Sequence, residues 1–406
     1  MRPFLFLVAV LLTGMPLGMS AQKKTIQQAQ QLIKTGKELE KAEKLMTGLL
    51  KDSNNITNTK IHLTLFEAVK KQYEQGNEKL YLKQKYDTTA LFNNTLKMFT
   101  VIEHLDSIES QKEKPSKRYG KWRERHVAYL NSIRPNLLNG GHFFSNKQQY
   151  EKAATFFNHY LNTATHPLYT QYNYADNDSL MPRAAYGAMY CAFKLNQPEE
   201  VLKHSALAAK IPRNKEYVYQ FKAEAYNQLK DTVNYFNTLK QGFNINPHFT
   251  YFFPRIVDHY INCQQTDSAM TFVNQALRID SLNPSFRFAQ STLLLNTGKY
   301  SQCIDICEDL IAEDDDFIEA YYNIGLAYFD EAIRLDKKMQ RDKKTRDTIT
   351  QLYRKSLPFM LRVREEQPKQ QQKWAKVLYT IYLNLNMGDE FDEINRLITT
   401  KNQLTK

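Results

Sequence analysis

The feature of this 406-residue sequence that most restricts its fold is a spacing of 34 residues between similar positions. Tyr321, Gly325 and Tyr328 set the pattern, which places a small residue between two aromatic residues. Earlier units carry, at the same three positions, Arg287, Ser291 and Leu294; Phe253, Val257 and Tyr260; Tyr219, Ala223 and Tyr226; and Ala185, Met189 and Ala192. Two antiparallel helices and two short turns use about 34 residues, so the spacing predicts stacked helical hairpins.

The second half of each unit follows the same spacing. Two sets of residues align there: Cys303, Ala269, Tyr235 and Val201, and then Leu310, Ala276, Gly242 and Ala208. Small residues suit close helix crossings, and aromatic residues fill the holes between units. One hairpin cannot bury its apolar face alone, whereas a stack of hairpins can. Glycine is scarce, at 13 residues, which also favours helices.

These residues resemble the tetratricopeptide repeat (TPR) family, whose pattern is W-x₂-L-G-x₂-Y…A-x₃-F…P. Units at this period run from about 182 to 368. The best single match lies upstream, at Leu137, Gly141, Phe144, Tyr150, Ala153 and Phe157. The resemblance implies an all-α, TPR-like superhelical solenoid of about nine helical hairpins.

The pattern divides the chain into five segments. We predict a signal peptide at 1–21, divergent hairpins at 22–110, a basic linker or helix at 111–133, the repeat array at 134–368 and a capping hairpin at 369–406. Insertions interrupt the array near 163–181 and 335–352. The repeat stops before the second insertion and resumes after it. We therefore expect 335–352 to lengthen the first helix, to project into water and to be dispensable for folding.

The N-terminus has the layout of a secretory signal peptide. Arg2 supplies a positive charge, residues 4–12 are apolar, and small residues precede a cleavage point after Ser20 or Ala21. A retained anchor is the alternative. No cysteine precedes Cys191, which excludes a lipid-modified cysteine near that point. The pattern predicts an exported protein of the periplasm or extracellular space that is not an integral membrane protein.

The chain is basic, with 55 Lys and Arg against 43 Asp and Glu. Such a surface is compatible with anionic envelope polymers, lipid headgroups or acidic proteins, and export argues against nucleic acid. The predicted basic surface consists of Lys117, Arg118, Lys121, Arg123, Arg125, Lys337, Lys338, Arg341, Lys343 and Lys344. A solvated segment is the alternative to a docking surface in both basic windows.

Sequence motifs of catalysis are absent. The chain lacks HExxH, a phosphate-binding glycine loop, a G-x-S-x-G elbow and a dinucleotide fingerprint. Cys303 and Cys307 share one helical face and could form a redox or metal pair. The repeat places them at apolar positions, so we expect them to pack in the core. We predict no catalytic residue, no metal site and no cofactor.

The TPR resemblance implies that the first helix of each unit lines a concave groove. The family's groove positions fall on His142, Tyr186, Tyr190, Gln220, Glu224, Arg255, Asp258, Phe288, Thr292, Tyr322 and Leu326. The family's Lys–Asn clamp for a C-terminal carboxylate is missing from these positions. An aromatic surface of mixed polarity suits an extended segment or a helix of a protein partner. The alternative is that several of these aromatics only pack against neighbouring units.

The predicted function is a non-catalytic, exported scaffold or adaptor for protein–protein interaction in the cell envelope. The alternative is a glycan- or nutrient-binding accessory protein of the outer membrane. Known proteins of that class also embed TPR-like helices, but they usually carry a lipid-anchor cysteine and long non-repeat insertions. This sequence has neither, which favours the scaffold.

Overall fold

The computed structural model describes residues 17–115, 119–337 and 342–404. Within these ranges the chain forms α-helices and two short 3-10 helices and has no β-strand, so the all-α prediction is confirmed. The chain divides into two compact units, Met1–Asp231 and Thr232–Lys406. Most of the predicted signal peptide lies outside the described residues.

Unit 1 (Met1–Asp231) consists of paired helices. Its helices are α1 (Leu17–Thr35), α2 (Leu39–Leu49), α3 (Thr59–Tyr81), α4 (Thr88–Ser110), α5 (Tyr119–Ile133), α6 (Pro135–Asn146), α7 (Tyr150–Asn162), α8 (Tyr174–Asn177), α9 (Met181–Lys194), α10 (Pro198–Ala208) and α11 (Lys215–Gln228). The pairs α1–α2, α3–α4, α6–α7 and α9–α10 pack as hairpins, and each hairpin contacts the next. The 3-10 helices are Ser53–Asn55 and Pro167–Tyr172.

Unit 2 (Thr232–Lys406) continues the same design. Its helices are α12 (Thr232–Ile245), α13 (Phe252–Asn262), α14 (Thr266–Ile279), α15 (Pro284–Asn296), α16 (Tyr300–Glu313), α17 (Ile318–Asp336), α18 (Lys343–Glu366), α19 (Gln371–Leu385) and α20 (Gly388–Leu404). The pairs α13–α14, α15–α16, α17–α18 and α19–α20 form hairpins. The described helices thus form eight such pairs, and α11 and α12 stand at the end of unit 1 and the start of unit 2, against the prediction of about nine hairpins. The division between the units falls inside the predicted array.

The predicted period is visible in the turns that follow α9, α11, α13 and α15. A left-handed backbone conformation recurs at Asn196, Lys230, Gln264 and Gly298, each 34 residues after the last. This conformation ends a helix by satisfying its last carbonyl groups. The next step, Ala332, lies inside α17 instead, because that helix continues into the insertion.

Aromatic rings pack directly against glycines where helices cross. A Cβ atom added to Gly141 on α6 would lie 2.5 Å from the ring of Phe157, and one added to Gly187 on α9 would lie 2.6 Å from the same ring. Phe157 on α7 is itself buried. Gly141 is the small position of its unit and makes room for Phe157 as the spacing predicts, whereas Gly187 lies two residues before the small position of its unit, Met189.

The segment 111–133 is a packed helix in its described second half, not a solvated linker. Helix α5 buries Trp122 and Leu130. Arg134 keeps helical dihedral angles, with φ −53° and ψ −36°, so α5 leads directly into Pro135 and α6. The two helices thus act together as the first arm of one long hairpin.

The insertion near 163–181 is folded onto this junction. The guanidinium carbon of Arg134 lies 3.7 Å from the ring centroids of both Tyr160 and Tyr174. Its Nη1 donates to Asp178 at 2.6 Å, and its Nε donates to Thr163 at 2.8 Å. Arg134 is only 5% exposed, and a charge buried so deeply needs such complete pairing. The insertion is therefore an ordered part of unit 1.

The insertion at 335–352 lengthens both arms of its hairpin. Helix α17 has 19 residues and α18 has 24, whereas α16 has 14, so the expected extension is confirmed. The expectation that the whole segment projects into water is wrong. Ile349 and Leu352 are 7% and 8% exposed and belong to a core cluster that also contains Ala332. Residues 338–341 lie outside the described part.

Candidate protein-binding site

Helices α13 and α15 enclose an apolar cavity of about 270 Å³ in unit 2. The residues that line it are Phe253, Pro254, Val257, Asp258, Ile261, Ser285, Phe288, Ala289, Thr292 and Phe317. Three predicted groove residues, Asp258, Phe288 and Thr292, thus lie together. Small-molecule sites usually measure about 300 to 1,000 Å³, so this cavity suits an inserted side chain better than a whole ligand.

The polar groups of the cavity have different roles. The hydroxyl of Thr292 donates to the backbone oxygen of Phe288 at 3.1 Å and accepts from Nδ2 of buried Asn323 at 3.0 Å. Thr292 is therefore fixed by its own neighbours. Asp258 is exposed, forms no ion pair with a described residue, and is the one charged residue among those that line the cavity. Its carboxylate is free to receive a cation beside an apolar pocket.

The predicted groove residue Arg255 does not line this cavity. The residue that lies 34 positions before Phe288 is Pro254, and Pro254 lines the cavity. Arg255 instead lies over the ring of Tyr251, with its guanidinium carbon 3.8 Å from the ring centroid, and donates to the backbone oxygen of Tyr251 at 2.9 Å. The 34-residue step would have indicated Pro254.

Two further groove positions of unit 2 do not line the cavity. Tyr322 on α17 is half-buried, with Nζ of Lys373 5.7 Å from its ring centroid. Leu326 packs against the core cluster that contains Ile324. The residues that sequence reasoning missed are mainly Val257, Ile261 and Ala289, which extend the same helix faces by one turn.

The groove positions of unit 1 mainly pack against neighbouring helices. Tyr186 and Tyr190 on α9 lie 6.2 and 6.0 Å from the ring of Phe221 on α11. Burial raises the pKa of both tyrosines. Gln220 and Glu224 on α11 are half-buried. The aromatic pair therefore stabilises the contact between α9 and α11.

His142 on α6 is the remaining groove position of unit 1. Its ring meets the ring of Phe157 edge-on at 5.2 Å, and its Nε2 is buried with no hydrogen-bond partner among the described residues. Burial lowers the pKa of His142, and the nearby charge of Arg183 lowers it further. The neutral imidazole is thus favoured at this position.

The predicted basic residues fall into three groups. Lys121, Arg125, Lys337, Lys343 and Lys344 are exposed. Arg123 is not a free cation, because its Nε donates to Asp106 at 2.8 Å and its Nη2 to the backbone oxygen of Pro167 at 2.8 Å. Outside the described residues lie Lys117, Arg118, Lys338 and Arg341.

Cys303 and Cys307 are core residues, as predicted. Both are fully buried and belong to the cluster around Leu310 and Ile324. The four cysteines of the chain are free thiols. Among the described residues, no group of three or more His, Cys, Asp and Glu side chains is placed to hold a metal ion.

A second, polar cleft of about 720 Å³ lies between α16, α17 and α18. Its lining includes two tyrosines, Tyr300 and Tyr328, with Asp305, Glu308 and Lys355. Burial raises the pKa of Tyr328, and the charge of Glu308 raises it further. Leu352, which belongs to the insertion that lengthens α17 and α18, forms part of the wall of this cleft.

Comparison with known proteins identifies likenesses of fold. The sequence matches no family model and no curated protein. The C-terminal part of a TPR repeat-containing protein from Cytophaga hutchinsonii is 9% identical, with a TM-score of 0.44, and the match covers 63% of this chain and 92% of that one. A tetratricopeptide repeat protein from Parabacteroides merdae is 13% identical, with a TM-score of 0.37 and coverage of 66% and 98%.

A third similar structure is YrrB, a TPR protein with an unusual peptide-binding site. It is 14% identical, with a TM-score of 0.26, and the match covers 62% of this chain and 95% of that one. At these identities each likeness concerns the fold alone. The helix pairs and the 34-residue spacing of their turns confirm the predicted all-α, TPR-like solenoid without these likenesses. No helix in the described ranges has the length and apolar composition needed to cross a bilayer.

Proposed function

We propose that the chain is an exported, non-catalytic adaptor that binds a protein segment in the cell envelope. The cavity between α13 and α15 is the observation that carries this proposal. It combines aromatic walls, Phe253 and Phe288, with one accessible carboxylate on Asp258. Such a site can hold an apolar side chain of a bound segment in the pocket and pair a nearby cation of the same segment with Asp258, as in peptide-binding grooves.

The cavity defines the chemistry of the bound segment. A large apolar side chain would enter between Phe253 and Phe288, because a desolvated aromatic pocket favours such anchors. A Lys or Arg near the anchor would pair with Asp258. The anchor supplies most of the affinity, and the exposed ion pair mainly sets orientation, since exposed pairs contribute only about 0 to 1 kcal/mol.

Site-specific photo-crosslinking tests the adaptor proposal. A photoreactive phenylalanine analogue replaces Ala289, which lines the cavity, or Gln275, an exposed residue of α14 that does not. Irradiation of envelope fractions should give a discrete, protease-sensitive adduct from position 289 alone. Equal adducts from both positions, or none from position 289, would refute the proposal.

Export rests on the N-terminal pattern and has its own test. N-terminal sequencing of the protein recovered from the producing cell should begin at Ala21 or Gln22. A recovered chain that still carries residues 1–20 would contradict export by cleavage. This result would leave the binding proposal untouched, because the cavity lies far along the chain in unit 2.

The polar cleft supports one second candidate, a glycan- or nutrient-binding accessory protein. Tyrosine rings beside carboxylates and ammonium groups, as at Tyr300, Asp305 and Lys355, are groups that bind hydroxyl-rich ligands. Titration with envelope oligosaccharides distinguishes the two candidates. Saturable binding that is lost in Tyr300→Ala, together with no adduct at position 289, would favour the accessory protein.

A further inference from the structure

We propose that the turn between α3 and α4 docks unit 1 on an anionic lipid surface. This α3–α4 tip comprises residues 79–86, with the sequence KLYLKQKY. It presents two adjacent apolar side chains and three lysines to solvent. The proposal is independent of the cavity in unit 2 and of the adaptor function.

The apolar part of the tip is unusually exposed. Tyr81 is 86% exposed and Leu82 is 55% exposed. Among the large hydrophobic residues of the described chain, these two alone are both exposed and adjacent in sequence, and Tyr81 is the most exposed of all. Exposed apolar side chains grouped in this way mark interaction sites.

Three lysines surround this pair. Lys79, Lys83 and Lys85 are exposed, and none forms an ion pair with a described residue. Nζ of Lys79 lies 5.9 Å from the ring centroid of Tyr86, which leaves the ammonium group at the surface. The tip contains no acidic residue, although Glu78 and Asp87 flank it.

Neither flanking acid forms an ion pair with a lysine of the tip among the described residues. Asp87 accepts from the backbone nitrogen of Thr89 at 2.8 Å and so serves as the N-cap of α4. Glu78 lies on α3, before the first lysine of the tip. The three ammonium groups therefore remain available to phosphate groups of lipid headgroups.

Backbone hydrogen bonds close the turn at the tip. Lys83 adopts a left-handed conformation with φ 57°, and its N–H donates to the backbone oxygen of Leu80 at 3.0 Å. The N–H of Gln84 donates to the backbone oxygen of Lys79 at 2.8 Å. These are the two bonds of a Schellman turn. A preformed turn avoids the entropy cost of ordering a flexible segment when it binds.

Tyrosine and leucine beside lysines favour a lipid surface over an acidic protein. Tyrosine rings prefer the interface between headgroups and acyl chains, and lysines beside them attract anionic lipids. The distribution of charge between the two units also favours an anionic lipid surface for unit 1. Residues 1–231 hold 33 Lys and Arg against 21 Asp and Glu, whereas residues 232–406 hold 22 of each. The unit that carries the tip thus carries the net positive charge.

Vesicle flotation tests the proposal with the full chain. We compare vesicles of phosphatidylcholine alone with vesicles that also contain phosphatidylglycerol, at about 0.15 M salt. The wild type should float only with the anionic vesicles. Lys83→Gln/Lys85→Gln should lower the partition coefficient by about 30-fold, since each lysine near an anionic surface contributes about 1 kcal/mol. Tyr81→Ser/Leu82→Ser should also lower the partition coefficient, because it removes the apolar side chains that would enter the headgroup region.

Matched variants control for general effects of charge and apolar exposure. Lys51→Gln/Lys60→Gln removes two exposed lysines elsewhere in unit 1, and Ile279→Ser/Leu282→Ser removes residues that are 54% and 73% exposed in unit 2. Both controls should float like the wild type. Circular dichroism melting of each variant confirms that it is folded.

Three results would overturn the proposal. One is a wild type that fails to float with anionic vesicles. Another is flotation of the tip variants that equals that of the wild type. The third is binding to soluble polyglutamate that depends on Lys83 and Lys85 but not on Tyr81 and Leu82, because that pattern would identify an acidic protein as the partner.

Discussion

At the scale of single residues, the crossing of α6, α7 and α9 depends on the absence of two side chains. Phe157 occupies the space that a Cβ atom at Gly141 or Gly187 would need. A ring that is held on two sides cannot move away from a new methyl group, because protein interiors are close-packed.

Gly141→Ala should therefore destabilise the protein by about 1 to 3 kcal/mol, the usual cost of overpacking. Gly48→Ala is the matched control, since nothing lies within 4 Å of a Cβ atom there and α2 should gain up to about 1 kcal/mol. Urea unfolding of both variants measures the difference. Equal stability of the two variants would show that Phe157 is not confined.

The buried Arg134 gives a second prediction. Lys has a point charge in place of the planar fork, so Arg134→Lys cannot keep both the contact with two tyrosine rings and the bonds to Asp178 and Thr163. Removing one charge of a buried pair costs about 3 to 5 kcal/mol, so Arg134→Lys, which keeps the charge but loses contacts, should cost less than that. The urea midpoint should fall and amide exchange in residues 163–181 should accelerate. Arg213→Lys, at an exposed site, should change neither quantity.

The lowered pKa of Asp178 predicts that the stability of unit 1 depends on pH. Burial opposes ionisation of Asp178, but hydrogen bonds from Tyr160 and Arg134 outweigh it and hold its pKa below 3.8. A lowered pKa contributes stability that is present above pH 3.8 and is lost as the pH falls through the lowered value. The stability gap between the wild type and Asp178→Asn should thus shrink as the pH falls below 3.8. A gap that stays constant in acid would contradict this assignment.

At the scale of helices, two parts of the insertion in the hairpin α17–α18 should differ in their effect on stability: residues 337–345, and the buried residues Ile349 and Leu352. Replacing 337–345 by a short Gly/Asn turn should leave the melting temperature within a few degrees, because surface changes usually cost about 0.5 kcal/mol or less. Ile349→Ala/Leu352→Ala should lower it clearly, since each buried truncation costs about 2 to 5 kcal/mol. Thermal melting of both variants is the measurement. A large fall in the melting temperature of the turn variant would show that residues 337–345 support the α17–α18 hairpin.

Most of the element structure could be predicted from the sequence, because the turns repeat every 34 residues from Asn196 to Gly298. The insertions could not. Arg134 and Asp178 are 44 residues apart, and no periodicity indicates that a buried arginine joins them. Ile349 lies in a segment rich in Lys and Arg, and this composition predicts exposure to solvent, not the burial that the structure shows.

The candidate site was predictable only in part. Asp258, Phe288 and Thr292 were found because they follow the repeat spacing. Pro254 lies at the 34-residue step between Gln220 and Phe288 and lines the cavity, whereas the predicted Arg255, one residue later, does not. The spacing also cannot tell whether an aromatic side chain lines a cavity or fills one, and in unit 1 Tyr186 and Tyr190 pack against Phe221 instead.

At the scale of the whole molecule, the two units differ in the surfaces they offer. Unit 1 carries the net positive charge and the α3–α4 tip, whereas unit 2 is electrically neutral and contains the apolar cavity. The two proposals, an anionic lipid surface at the tip and a protein segment in the cavity, therefore concern separate parts of the chain.

The central claim is that the α13–α15 cavity receives a side chain of a protein partner. Selection of a displayed random peptide library against the wild type and against Ala289→Trp, whose indole would fill the cavity, tests it most directly. The wild type should enrich peptides that share one large apolar residue with a nearby Lys or Arg, and the variant should not. Identical enrichment by both proteins, or none by the folded wild type, would contradict the claim.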